Sequence, residues 1–110
     1  MGYISQQYLT LCRNIIRRAS KKLKLAYPSV TPLEGHYPWK GCCWKDDYGK
    51  YHIQLRLQYK KTKIFIPLDL LRLTICHELA HIGIEEKTDH GPKWQKRYVE
   101  IKRLILSRTF

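Results

Sequence analysis

Long apolar runs are missing from this chain of 110 residues, and with them any segment of the roughly 20 residues that a membrane-crossing helix needs. The first residues, Met1-Gly2-Tyr3-Ile4-Ser5-Gln6, lack the basic-then-apolar order of a secretory leader, and Gln6 stands where an N-myristoylation signal wants Ser or Thr. Cysteine is sparse and badly placed for bridging. Of Cys12, Cys42, Cys43 and Cys76, two are adjacent and two fall in helical patterns, which is a poor disulfide framework and fits a reducing compartment. Internal repeats, low-complexity tracts and flexible linkers are absent from the sequence. Acid is scarce too: 9 Asp and Glu face 21 Lys and Arg, a formal charge of +12 that makes polyanions natural partners. The expectation is one soluble intracellular domain over residues 1–110, cytoplasmic or at the nucleoid or nucleus, with a modest core and a shallow, open groove. Its oligomeric state is left open.

What is present centres on His77-Glu78-Leu79-Ala80-His81 and a later His90-Gly91-Pro92-Lys93-Trp94. On a helix turning about 100° per residue, His77 and His81 lie about 40° apart and can reach one metal ion. Leu68, Leu71, Ile75, Leu79 and Ile82 gather roughly 120 to 200° away, so one face packs while the other is free for chemistry. Zinc takes nitrogen ligands at about 2.0 to 2.1 Å, and a catalytic site uses three protein ligands with a fourth position open. The spacing places Glu78 beside the two histidines, as the general base toward the attacking water. For the third ligand His90 is favoured: Gly83 gives the helix a stop and the chain a way back, and Pro92 opens the next helix. The rival is Glu100, which falls about 120° from the Trp94, Tyr98, Ile101 and Ile105 stripe and so points to solvent. A packed helix with surface histidines is the bland reading of the same residues.

This pairing of His77-Glu-Leu-Ala-His81 with His90-Gly-Pro-x-Trp94 resembles the SprT-like zinc metallopeptidases, over about Lys63 to Tyr98. The resemblance implies a Zn2+-dependent endopeptidase with a minimal zincin core, a protein or peptide substrate held as an extended strand at a sheet edge, and action on DNA-bound proteins. Metzincins do not fit, since their pattern needs Gly and His where this chain has Ile84 and Lys87. The C-terminal zinc ribbon common in SprT-like proteins has no counterpart here, because no Cys-x-x-Cys exists.

Read in order, the chain predicts an amphipathic helix from about Tyr3 to Leu25 with Ile4, Tyr8, Leu11, Ile15 and Ala19 as its apolar stripe. Arg13, Arg17, Lys21 and Lys24 fall on its far side. Of these, Arg13, Arg17 and Lys24 are the candidate contacts for non-specific DNA binding, with a merely solvated face as the alternative. Tyr27 to Glu34, carrying Pro28 and Pro32, reads as a connection, and Gly35 to Trp44 as a strand of uncertain limits. Cys42 and Cys43 are expected to be buried in that strand rather than to act as a latency switch at the metal. His36 and His52 are expected to be ordinary structural histidines. After a turn at Asp46 to Gly49, Tyr51, Ile53, Leu55, Leu57 and Tyr59 alternate with polar residues as the clearest strand, and Lys63 to Ile66 reads as a third. Asp69 is placed to cap the metal helix, and the last helix runs from about Pro92 to Leu106.

The expected architecture is α+β: an N-terminal helix, a small, mostly antiparallel three-stranded sheet, the metal helix and a C-terminal helix. Tyr98, Tyr59 and His52 are candidates for a second oxyanion donor. Two other classes fit the same residues: a basic nucleic-acid-binding module with a structural or inactive zinc site, and a latent protein held by self-association or by its own terminus, Ser107 to Phe110.

Overall fold

The computed structural model describes residues 2–35, 39–85, 89–107 and 110; the expectation for His36 falls outside them. The described residues form α1 (Tyr3–Leu23), β1 (Ser29–Pro32), β2 (Gly41–Lys45), β3 (Tyr51–Leu55), α2 (Leu68–Leu79) and α3 (Pro92–Ile105). This is an α+β fold of three helices and a three-stranded sheet in the order β1-β3-β2.

The sheet is mixed, which corrects the mostly antiparallel expectation. β2 and β3 form an antiparallel hairpin with Gly41 opposite Leu55 and Lys45 opposite Tyr51. β1 runs parallel to β3, with Ser29 opposite His52 and Pro32 opposite Leu55. β1 lies inside the stretch that its prolines mark as a connection. Pro28 precedes the strand and Pro32 ends it at the sheet edge, where a missing N–H removes no central ladder bond. β3 stops at Leu55 instead of running to Tyr59, because both neighbours leave the ladder there, β1 at Pro32 and β2 at Gly41. Lys63 to Ile66 is not a strand. Its contact is an isolated bridge between Gln58 and Phe65, flanked by bonds from Tyr59 N–H to Ile64 O (2.9 Å) and from Ile66 N–H to Leu57 O (2.8 Å). Pro67 then removes the next donor.

The core gathers where the layers meet. Ile53 and Leu55 of β3 are fully buried against Leu71, Ile75 and Leu79 of α2, and Ile101 and Ile105 close the far side from α3. On α1 the buried apolar residues are Leu9, Cys12, Ile15, Ile16 and Ala19, so the apolar stripe sits about one residue from the expected phase, and Ile4 and Leu11 are exposed. Both stripes are apolar, and the tertiary partners select between them. The basic residues Arg13, Arg17 and Lys24 are exposed as expected. Arg13, however, uses Nε and Nη2 to donate to the Val30 carbonyl at 3.0 and 2.9 Å, tying α1 to β1. Lys24 ends α1 in the left-handed conformation, φ 56°.

One further expectation changes in detail: Pro67, not Asp69, is the N-cap of α2, and Asp69 lies in its first turn with no side-chain cap bond. No helix among the described residues is long and apolar enough to cross a membrane.

Candidate metal centre

α2 carries His77, and a tighter turn beyond its end carries His81. The Ala80 N–H still reaches back four residues to Cys76 O, but His81 N–H bonds Glu78 O and Ile82 N–H bonds Leu79 O, each at 3.1 Å. Such i→i−3 bonds tighten the end of a helix and satisfy carbonyls that would otherwise be orphaned. The helix proper thus ends at Leu79, short of Gly83, and His81 sits in the tightened turn beyond it. Gly83 still reverses the chain, with φ 73°, where an L side chain would be strained. Its N–H donates to the Tyr51 hydroxyl at 2.9 Å.

His90 is brought back by α3. Gly91 is the N-cap and Pro92 opens the helix, as the sequence predicts. His90 itself has φ 59°, a left-handed conformation that costs a non-glycine residue about 1–2 kcal/mol and that clusters at functional sites. Gln95 holds the His90 carbonyl through its side-chain amide at 3.0 Å. The outcome is a cluster in which one nitrogen each of His77, His81 and His90 lies within 4.8 Å of the others, with Nε2 of His77 and Nε2 of His90 3.1 Å apart. Two ligands of a tetrahedral zinc ion, at about 2.05 Å each, lie about 3.3 Å apart, so that closest pair already stands at ligand spacing. Glu100 is exposed on α3 and is not part of the cluster.

Neighbouring groups orient the rings. Asp89 faces Nδ1 of both His90 (3.6 Å) and His81 (3.9 Å), which leaves their Nε2 atoms for the shared centre. Trp94 lies against all three imidazoles, with centroid separations of 4.9, 5.6 and 4.5 Å to His77, His81 and His90, and its Nε1–H donates to His77 O at 3.2 Å. Arg97 donates to Ile82 O at 3.3 Å and fastens α3 to the turn that bears His81. Burial first, and the neighbouring imidazoles after it, hold His77 below the ordinary histidine range. Burial also lowers His81, with Asp89 opposing. Neutral imidazole is the form that ligates a metal.

Glu78 is almost fully buried and its Oε2 has no hydrogen-bond partner among the described residues, while Oε1 is 3.9 Å from Nε2 of His77. Burial, reinforced by Asp89, pushes its carboxyl up to about 7. A buried carboxylate without a partner normally costs stability. Here it stands beside an open edge of the histidine cluster, where a cation would offset that cost. The three imidazoles, the ligand-range nitrogen spacing and the orphaned carboxylate oxygen together fit a bound metal ion.

β2 forms the wall facing α2. At Gly41 a Cβ would stand 2.9 Å from Thr74 Cγ2, 3.0 Å from Gln54 O and 3.4 Å from Glu78 Cγ, so only glycine lets the strand lie this close over Glu78. Cys42 and Cys43 line the groove between β2 and the histidines and are half-buried. Burial and the Glu78 charge raise both thiols, Cys43 to about 12, in the metal-free site. Of the oxyanion candidates, Tyr98 lines the groove with His77 and Glu78. His52 is pinned between Ser29 Oγ (2.6 Å) and Asp46 Oδ2 (2.7 Å) and stacks on Trp44, a structural role, and Tyr59 does not line the groove. Phe110 packs under Arg18 of α1, 4.7 Å from its guanidinium carbon, and likewise does not line the groove.

Sequence reasoning brings together His77, Glu78, His81 and His90. It misses Asp89, Gly41 and Tyr51, and it places Trp94 in the His90-Gly-Pro-x-Trp94 motif and in an apolar stripe without its contact to the three imidazoles. The one signal for them was the crowding of Asp89, His90 and Trp94 within six positions. No family model, curated protein or solved structure matches the chain.

Proposed function

We propose that the protein is a zinc-dependent endopeptidase with the minimal core of the SprT-like zincins, cleaving proteins, DNA-associated ones among them. The observation that carries this is Glu78: a buried carboxyl with an unpartnered oxygen, tuned toward neutrality, set against three converging imidazoles. His77, His81 and His90 would hold the ion. When bound, zinc polarises the scissile carbonyl and lowers the pKa of water in its open position. Glu78 accepts the water's proton and delivers it to the leaving amine, a task suited to a carboxyl whose pKa lies near the working pH. Tyr98, which lines the groove with His77 and Glu78, is the candidate donor toward the oxygen that gains charge. β2 lies at the sheet edge beside the centre, so its unpaired backbone groups can align an extended peptide, a mode that reads backbone more than side chains.

The competing reading, a nucleic-acid-binding module whose zinc site is structural or inactive, draws on the +12 charge. A structural site, however, is normally closed by four ligands, and the described cluster has three with a carboxyl beside it. The deciding experiment is cleavage of casein by zinc-loaded protein, read as new amino termini. Glu78→Gln is expected to keep its zinc and fold while turnover drops about 10²- to 10⁴-fold. Undiminished cleavage in Glu78→Gln, or none in the zinc-loaded wild type, would discard the peptidase.

A further inference from the structure

The groove at the metal centre has two arms of different chemistry. One, of ≈ 490 Å³, is bordered by β2 and carries the charged groups Lys45, Glu85 and Asp89. The other, of ≈ 470 Å³, runs along α2 toward Leu70, Leu73 and Tyr98. Both are lined by Trp39, Gly41, His77 and Glu78, so they meet at the site of chemistry. We propose that the second arm is a side-chain subsite that takes an apolar or aromatic residue of the polypeptide next to the bond to be cut. The assignment rests on the peptidase reading.

The helical phase of α2 carries the argument. Leu70 and Leu73 lie within about 40° of His77 around the helix, whereas the core residues Leu71, Ile75 and Leu79 lie about 120 to 200° away. A surface helix ordinarily keeps polar residues opposite its core face. α2 instead places two leucines there, in line with the first histidine, and Leu70 is 41% exposed. Trp39, 48% exposed, stands where the two arms join. Thr74, the hydroxyl residue of this arm, turns its Oγ1 back onto Leu70 O at 3.3 Å and directs its methyl toward Gly41. Among the described residues that line the arm, the remaining polar side-chain groups are Lys40, the His77–Glu78 pair, the Tyr98 hydroxyl and the Trp39 indole N–H, at its ends rather than along the two leucines. A polar occupant would give up water for little in return, while an apolar one gains in proportion to the area it buries. The occupant is substrate rather than a separate partner because the arm opens directly onto Glu78 and His77.

The test uses zinc-loaded Glu78→Gln protein, which binds without turning over, and peptides of Gly, Ser and Asn carrying one central Leu, Phe, Gly or Asp. Leu and Phe peptides are expected to bind at least about tenfold more tightly than the Gly peptide, the discrimination that a hydrophobic pocket supplies. Leu70→Ser and Leu73→Ser, each in that background, should cut the advantage to under about threefold, with zinc content and Gly-peptide binding kept. Leu70→Ser is the safeguard for folding, since Leu70 is the more exposed of the two. Equal affinity for all four peptides overturns the subsite. So does tighter binding of the Asp peptide through Lys40, or an apolar preference that both serine variants leave untouched. Wild-type enzyme separates the two ideas: cleavage of Gly and Phe peptides with equal kcat/KM ends the subsite and leaves the peptidase standing. Selective Phe binding with no cleavage supports the apolar arm and ends the peptidase.

Discussion

At the scale of single residues, Glu78 is where the proposed function and stability conflict. Its carboxyl is buried and lifted from its ordinary value near 4.5 to about 7. The folded chain therefore holds this proton more tightly than the unfolded chain does, so metal-free protein loses stability as pH rises from about 4.5 to about 7 and stays penalised above that. We expect Glu78→Gln to stabilise the metal-free protein at neutral pH by about 1–3 kcal/mol, with the gain vanishing toward pH 4. Denaturant unfolding across that pH range measures it, and a gain independent of pH would mean the carboxyl is not the source. His90 supplies a second case. Its left-handed backbone suits glycine, so His90→Gly should leave metal-free protein about 1 kcal/mol more stable than His90→Ala, with zinc lost from both. Equal stability of the two variants in thermal melts would show that the conformation is not held in solution.

At the scale of elements, the centre depends on how closely β2 lies over α2. Gly41→Ala would put a methyl 2.9 Å from Thr74 Cγ2 and 3.0 Å from Gln54 O, so the strand must shift away from Glu78. We expect a loss of about 1–3 kcal/mol in stability and a lower kcat, while zinc binding stays intact because the three histidines lie on other elements. Retained kcat with unchanged stability would show that the strand has room to give. The same elements show what the sequence carries. The phases of α2 and α3 were legible because Leu71, Ile75, Leu79, Ile101 and Ile105 repeat strongly at helical spacing, and local geometry alone fixes the His77–His81 pair. β1 was not, because a four-residue strand that follows Pro28 and ends on Pro32 has no local signature and its order comes from pairing with β3, 23 positions on in the Ser29–His52 register. The phase of α1 was ambiguous between two apolar stripes, and the short reach of β3 is set by its neighbours rather than by its own alternation. Gly41 was invisible for a similar reason: a glycine's need for close approach exists only once Thr74 stands opposite.

At the scale of the whole molecule, the charge of +12 asks for an acidic partner, and DNA is the one that the motif resemblance suggests. The candidate face needs revising for a test, because Arg13 holds β1 through Val30 and its replacement would disturb the fold. Arg17→Gln, Lys21→Gln and Lys24→Gln together leave that tie alone. If this face binds phosphates non-specifically, the triple variant should flatten the plot of log affinity against log salt by about 0.9 for each phosphate it no longer neutralises, and small-peptide cleavage should not change. An unaltered slope would place DNA binding on another face. The most direct measurement returns to the metal: zinc is titrated into metal-free protein, and bound zinc and casein cleavage are followed in the same samples. Both are expected to rise together and level off at one equivalent per chain, and His90→Ala should do neither. Full occupancy without cleavage, or cleavage that proceeds before zinc is bound, would contradict a catalytic centre at His77, His81 and His90.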